Sequence, residues 1–529
     1  MTSVRFDYEL NPRLPALAWI ARLRMADGVC VVSHGALVET HATFFIEGAW
    51  SGSGSGSFTR GGFDTCDVVF GSGAAITADG VTFVPSTATT DYLFHRVEDG
   101  VLTVANSLPL LLAAFSDTLD PAYDRYAELN DSVLAGIRAY ERRIPTRGGA
   151  VSRLMHDNLV VSASQVREVA KADAPAFPTY ESYRAYVADR YALLAANARD
   201  GGRTRPMRIY TTQSRGYDST AINAIAAPHG VDGVFTITTG KGGGSMADDP
   251  AELEVSDDGT AIASLLGVGP VIGIERRAFA KEFDDELYFH AAISECQDAN
   301  LKEVSGRIEP PALLLTGTLG EVWYTQSAWY DTHPGYATDE LRRGDLGTHG
   351  LTEIRLRAGY VQAAMPYIGA RRRKDILAIS DSASMAPWRL NVQYDRPIPR
   401  RIGEEAGVPR DAFGQVKIGS VVEFSVPQWP VNATLRERYL AALRRDGVLP
   451  AWKVPLYGRV RRLNEMIWFA SPQRHRAIYY ALRLVTRLIR REIARPVLWR
   501  GLRGSLFCFA ANECASEYAS VLGRRTEAS

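Results

Sequence analysis

Residues Ile209 to Ile225 read IYTTQSRGYDSTAINAI. A β-prone run gives way to a turn of small residues and then to apolar residues at helical spacing. A strand that passes through such a turn into a helix is where an open α/β sheet binds phosphate. Gly216 lets backbone amides approach an anion, the hydroxyls of Ser214, Ser219 and Thr220 can donate to phosphate oxygens, and the helix N-terminus adds favourable partial charge. Asp218 stands out, because a carboxylate beside phosphate is repulsive unless a cation lies between them, which points to Mg²⁺. Working outward, strand-like runs Met207–Thr212, Val234–Thr239, Val271–Ile274 and Ala312–Thr316 alternate with helical patterns near Ser219–Ala227, Val255–Leu266 and Asp284–Asn300. That rhythm predicts parallel pairing in a doubly wound sheet with its ligand at the carboxyl ends of the strands.

Upstream, Tyr183, Val187, Tyr191, Leu194 and Ala198 fall at helical spacing and predict a helix of about five turns that opens this region. The first 165 or so residues instead alternate short apolar runs with turn residues, as in Val29–Ser33, Thr43–Glu47, Val68–Gly71, Val81–Pro85 and Val101–Ala105, and read as β-rich. Ser51–Ser57 (SGSGSGS) reads as a floppy loop within it. Beyond about Pro430 the pattern is helical and basic, with twelve arginines between Arg459 and Arg503 against Glu465 and Glu492. There Ile478, Leu482, Val485 and Ile489 form an apolar stripe with Arg483, Arg487 and Arg490 outside it, read as a helix packed on the domain with a solvated basic face. Peripheral contact with an anionic membrane is the alternative, and nucleic acid is not expected. Three regions follow, 1–165, 166–430 and 431–529.

Composition bounds the rest. The chain has 529 residues, 46% of them hydrophobic, with 60 basic and 60 acidic side chains, so disorder is excluded and no global charge drives binding to polyanions. Five cysteines are scattered without metal-ligand spacing, the nine histidines show no paired motif, and no apolar run approaches the ~20 residues that span a bilayer. A cytoplasmic protein is expected. Gly240–Ser245 (GKGGGS) does not meet the order of a Walker loop.

Ser214-Arg215-Gly216-Tyr217-Asp218-Ser219 resembles the S-G-G-x-D-S pyrophosphate loop of the N-type ATP pyrophosphatases, and the asparagine synthetase branch fits best. Leu313–Tyr324 (LLLTGTLGEVWY) is similar to that family's second acidic loop, with Glu321 at the position of a second metal-binding carboxylate. Asp257-Asp258 resembles the acidic helix start after the adenine-binding strand, and Arg396–Ser420 the segment that ends in a catalytic lysine, here Lys417. Tyr92–Ala113 is similar to a stretch near the end of the family's amidotransferase-like domain. The resemblance implies an α/β protein with an N-terminal β-rich amidotransferase-like domain, a doubly wound ATP pyrophosphatase domain and C-terminal helices. It implies ATP held by Ser214, Arg215, Gly216, Tyr217, Asp218 and Ser219, adenine against the backbone of Ile237 and Thr238, and Mg²⁺ held by Asp218 and Glu321. Lys417 would neutralise pyrophosphate, and Glu353 is the candidate base for the attacking amine.

Departures accompany the matches. Arg215 replaces a loop glycine and Leu319 replaces an inner glycine of the second acidic loop. Thr318 falls where some relatives carry a tyrosine of a Tyr-Glu dyad. The chain begins Met1-Thr2-Ser3, without the cysteine nucleophile of a glutaminase. The expected function is therefore an ATP-dependent, amide-forming ligase that adenylates a small-molecule or peptide carboxylate and passes the acyl group to ammonia or an amine, free or supplied by a partner protein, without glutaminase activity. The alternatives are an RNA- or nucleobase-modifying ATP pyrophosphatase and a catalytically degenerate nucleotide-binding partner protein.

Overall fold

Alternating apolar residues in the first part of the chain form two sheets packed face to face. The computed structural model describes residues 4–52, 58–162, 165–239, 257–275, 283–292, 301–325, 351–391, 394–414, 429–468, 475–489, 502 and 504–523. Thr2, most of Ser51–Ser57, Gly240–Ser245, Lys417 and Arg490 lie outside these residues. One sheet has seven strands in the order Arg5–Leu10, Val29–His34, Trp19–Arg24, Val101–Ala105, Leu93–Glu98, Gly149–Leu154 and Arg143–Thr146, antiparallel except for the first pair. The other has six antiparallel strands, Val166–Val169, Asn158–Val161, Gly80–Val84, Val69–Thr77, Phe44–Trp50 and Glu39–Thr40. Their inner faces interdigitate around Trp19, which is fully buried with its ring 4.9 Å from that of Phe45.

The expected parallel sheet is present with one strand more than the sequence reading found. Its order is Val271–Glu275, Gly233–Thr239, Arg208–Thr212, Ala312–Thr316 and Tyr360–Ala364, every neighbouring pair parallel. Successive residues leave on opposite faces: Ile209, Leu313 and Val361 enter one core, while Tyr210, Leu314 and Tyr360 enter another. The five-turn helix is Tyr180–Ala198, closed at its start by a capping box between Thr179 and Ser182. It lies with helix Tyr217–Ala226 on the first of those faces, whereas helices Leu301–Ser305 and Thr352–Ala358 cover the second. The described part of the helical pattern around Val255–Leu266 is helix Thr260–Leu265, and that around Asp284–Asn300 is helix Glu286–His290.

One core extends from Leu14 to Tyr518 and joins the sandwich, the parallel sheet and the last helix, Ser505–Leu522. That helix returns to the N-terminal region, where Asn512 accepts from the Leu119 amide (2.8 Å) and donates to its carbonyl (3.1 Å). A buried ion cluster ties the sandwich to the sheet. Arg355 donates to Asp91 (2.6 Å) and, through both terminal nitrogens, to Glu47 (3.0 and 3.2 Å). The basic helix Arg476–Ile489 differs from expectation: its stripe is not packed away, since Val485 and Ile489 are exposed together with Leu484 and Leu488. Among the described residues no helix is long and apolar enough to cross a membrane.

Candidate functional site

Strand order in the parallel sheet reverses between Arg208–Thr212 and Ala312–Thr316, so the chain leaves their carboxyl ends in opposite directions, the place where open α/β sheets bind their ligands. Both motifs singled out in the sequence lie at that point. The first loop is folded on its own hydroxyls. The Ser214 amide donates to Ser219 Oγ (3.1 Å), the Gly216 amide to Ser214 Oγ (3.0 Å), and the two seryl oxygens are 3.0 Å apart. Asn223 and Gln213 brace the loop from behind: Asn223 Nδ2 donates to Gln213 Oε1 (2.8 Å), and Gln213 Nε2 donates to Thr220 Oγ1 (3.1 Å). Gly216 starts helix Tyr217–Ala226 with φ −77°, a conformation open to any residue, and no side chain caps the first turn.

Asp218 and Glu321 meet on a single cation, the guanidinium of Arg396. Its Nη1 donates to Asp218 Oδ2 and its Nη2 to Glu321 Oε1 (2.6 Å). Arg396 is inaccessible to solvent, with its guanidinium carbon 4.3 Å from the centre of the Tyr324 ring and 5.4 Å from that of Tyr394. Burial alone would lower its pKa, but the charges of Asp218 and Glu321 outweigh that and hold it well above the ordinary arginine value. Local sequence explains how it is aimed. Arg396 precedes Pro397, which keeps it out of the helical conformation (φ −133°, ψ 82°) and begins helix Pro397–Glu405.

Close approach in the second acidic loop depends on Gly320, where a Cβ would stand 2.4 Å from Asp218 Oδ2 and 2.7 Å from Arg396 Nη1. Leu319, read from the sequence as standing in for a glycine, adopts the left-handed conformation that favours glycine (φ 70°, ψ 16°) with its side chain buried. A leucine there costs roughly 1–2 kcal/mol of backbone strain, held by the surrounding core.

Mg²⁺ takes oxygen ligands at about 2.0–2.1 Å in near-octahedral geometry. The position on which the two carboxylates converge is filled by a buried, ring-flanked guanidinium, so a divalent ion does not fit between Asp218 and Glu321 in this arrangement. Among the described residues no group of three or more His, Cys, Asp or Glu side chains could hold a metal.

Other residues named from the sequence are dispersed. The Arg215 amide donates to Asp257 Oδ1 (3.0 Å) and its Nε to the Ala412 carbonyl (3.4 Å), so the side chain braces the segment before residue 415. Ile237 is buried in the core beneath the sheet, and Thr238 is exposed at the strand's end, its Oγ1 packed over Gly273. The Asp257–Gly259 segment is bound to this region, because Gly259 packs on Gln213 and its amide donates to Thr236 Oγ1 (2.8 Å). Glu353 has other company: it is buried in helix Thr352–Ala358, accepting from Ser107 Oγ (2.6 Å) and Tyr518 Oη (2.8 Å). Burial raises its pKa, and both hydroxyls and the nearby Arg357 and Arg355 oppose that. Such a carboxylate fastens the last helix to Ser107, which caps helix Leu108–Ala114, and none of its partners belongs to the loop site. Lys417 lies outside the described residues.

Sequence reading missed Arg396, Tyr324 and Tyr394 as site residues. Arg396 opens the very segment matched to the lysine motif, and the signal available was an arginine before Pro397 within it. Gln362, from the unpredicted fifth strand, donates to Thr316 Oγ1 and Thr318 Oγ1 (both 3.3 Å) at the same end of the sheet. No protein-family model and no curated protein matches the chain.

Proposed function

We infer that this chain is an ATP-dependent, AMP-forming carbon–nitrogen ligase similar to asparagine synthetase. The observation that carries the reading is the meeting of Asp218 and Glu321 on one cation, each delivered by the loop after one of the two strands that flank the reversal of strand order. In this reading a substrate carboxylate oxygen attacks the α-phosphorus of ATP, the bond to the β-phosphate bridging oxygen breaks, and pyrophosphate leaves. An amine nitrogen then attacks the acyl carbon and AMP departs. Ser214, Ser219 and the uncapped start of helix Tyr217–Ala226 offer hydrogen bonds to phosphate, Lys417 from the following segment provides positive charge for the leaving group, and Arg396 holds Asp218 and Glu321 in place. The N-terminal sandwich takes the part of an amidotransferase-like scaffold, the amine comes from ammonia, an amino group or a partner protein, and use of ATP suits the cytoplasm.

A second reading is favoured by Arg396 itself. A fixed guanidinium in the cation position suits a degenerate, nucleotide-binding partner protein that holds ATP without turning it over. Exchange of labelled pyrophosphate into ATP across a panel of carboxylic acids separates the two. Acid-dependent exchange that Ser219→Ala weakens and Asp218→Asn abolishes supports the ligase. ATP binding without exchange selects the degenerate partner, and neither binding nor exchange overturns both.

A further inference from the structure

We propose that helix Arg476–Ile489 lies flat on an anionic lipid bilayer and holds the protein at a membrane surface. The helix reads RAIYYALRLVTRLI and has no buried side chain. Turned at 100° per residue, its Ala, Ile, Leu and Val residues fill one continuous arc of about 160°, and Arg476, Arg483 and Arg487 cluster on the opposite side. Within that arc Leu484, Val485, Leu488 and Ile489 are 59%, 40%, 74% and 56% exposed. The preceding helix, Val454–Trp468, adds exposed Leu463 and Met466, and Trp452 beside it is 68% exposed. An amphipathic helix with a clean apolar face and arginine on its polar face has the composition of an interfacial helix, and tryptophan favours the same depth.

Charge selects the occupant. Between Arg476 and Ile489 there is no acidic residue, and the surrounding stretch holds twelve arginines to two glutamates in a chain whose total charge is zero. A second copy packed on the apolar arc by two-fold symmetry would cover Leu484 and Leu488 but leave the arginines, on the opposite side, with no anionic partner. Nucleic acid would satisfy the arginines but leave Leu484 and Leu488 in water. A bilayer rich in anionic headgroups accepts both faces at once, because the apolar arc enters the acyl boundary while the guanidinium groups stay among phosphates. The proposal is independent of the chemistry at the loop site.

Flotation of the full chain with vesicles tests it, comparing phosphatidylcholine with an equimolar mixture of phosphatidylcholine and phosphatidylglycerol. Binding is expected on the mixture alone and to weaken as salt rises. Arg476→Gln/Arg483→Gln/Arg487→Gln should lower partitioning by roughly fivefold per arginine, on the order of a hundredfold in all. Leu484→Glu/Leu488→Glu should release the protein as well, and the exposure of all five positions means that both variants keep the wild-type urea midpoint. Equal binding to neutral and anionic vesicles, no binding to either, or wild-type binding by either variant would overturn the proposal. So would sedimentation showing a dimer that Leu484→Glu/Leu488→Glu dissolves while vesicles fail to bind the wild type.

Discussion

Replacing Arg396 by methionine is the sharpest test of the candidate site. The substitution keeps an apolar stem between Tyr324 and Tyr394 and removes the charge that Asp218 and Glu321 share. The side chains of these carboxylates are only 12% and 16% exposed, so water cannot replace the guanidinium fully. Breaking a buried ion pair by removing one partner costs about 3–5 kcal/mol, and two carboxylates are affected here. Urea unfolding should therefore register a loss of that order. The triple variant Asp218→Asn/Glu321→Gln/Arg396→Met should recover most of it, because neutral amides no longer require a cation. Arg396→Met should also gain stabilisation by Mg²⁺, worth about 2.7 kcal/mol at a hundredfold excess over the dissociation constant, while the wild type should gain none. A loss below about 1 kcal/mol, within the range of ordinary substitutions, would refute this account of the site. Equal stabilisation of wild type and variant by Mg²⁺ would refute it too.

Other outcomes follow from the buried charges. Arg355→Met strands Glu47 and Asp91 between the sandwich and the parallel sheet, and should cost about 3–5 kcal/mol by urea unfolding, with Glu47→Gln/Asp91→Asn added to it restoring part. Lys171 is buried against Asn158, and burial lowers its pKa from 10.5 to about 7. The unfolded chain thus holds a proton that the folded one gives up, so stability should fall as pH drops from 10.5 to 7, by a few kcal/mol in all, and Lys171→Met should flatten that slope. Glu353 has a raised carboxyl pKa, so the stability it contributes is full below the ordinary value of 4.5 and is lost as pH rises through the raised folded value. Glu353→Gln should remove that loss at neutral pH and leave pyrophosphate exchange intact, and a collapse of exchange in a stable Glu353→Gln protein would return it to the catalytic list. Leu319→Gly relieves backbone strain but empties a buried site, and should be net destabilising by about 1–3 kcal/mol in urea.

The sequence by itself determined what local pattern can carry. Strand readings at Met207–Thr212, Val271–Ile274 and Ala312–Thr316 match the observed strands to within one residue, and helix Tyr180–Ala198 opens at the expected position, because hydrophobic period and capping residues act over a few neighbours. The parallel pairing followed from the alternation of strand and helix. Tyr360–Ala364 was not legible, since a five-residue run after a helix capped by Gly359 becomes a strand only when Ala312–Thr316 offers its edge. Which charges share a site was also decided in three dimensions. Arg396 reaches Asp218 across 178 positions and Ser107 reaches Glu353 across 246, separations over which no spacing rule operates. The acidic loops could be found from their glycines and hydroxyls, but the partner of their carboxylates is a matter of burial. A charge removed from water must meet its opposite wherever the fold brings one, and here it brings an arginine held in place by a proline and two tyrosine rings.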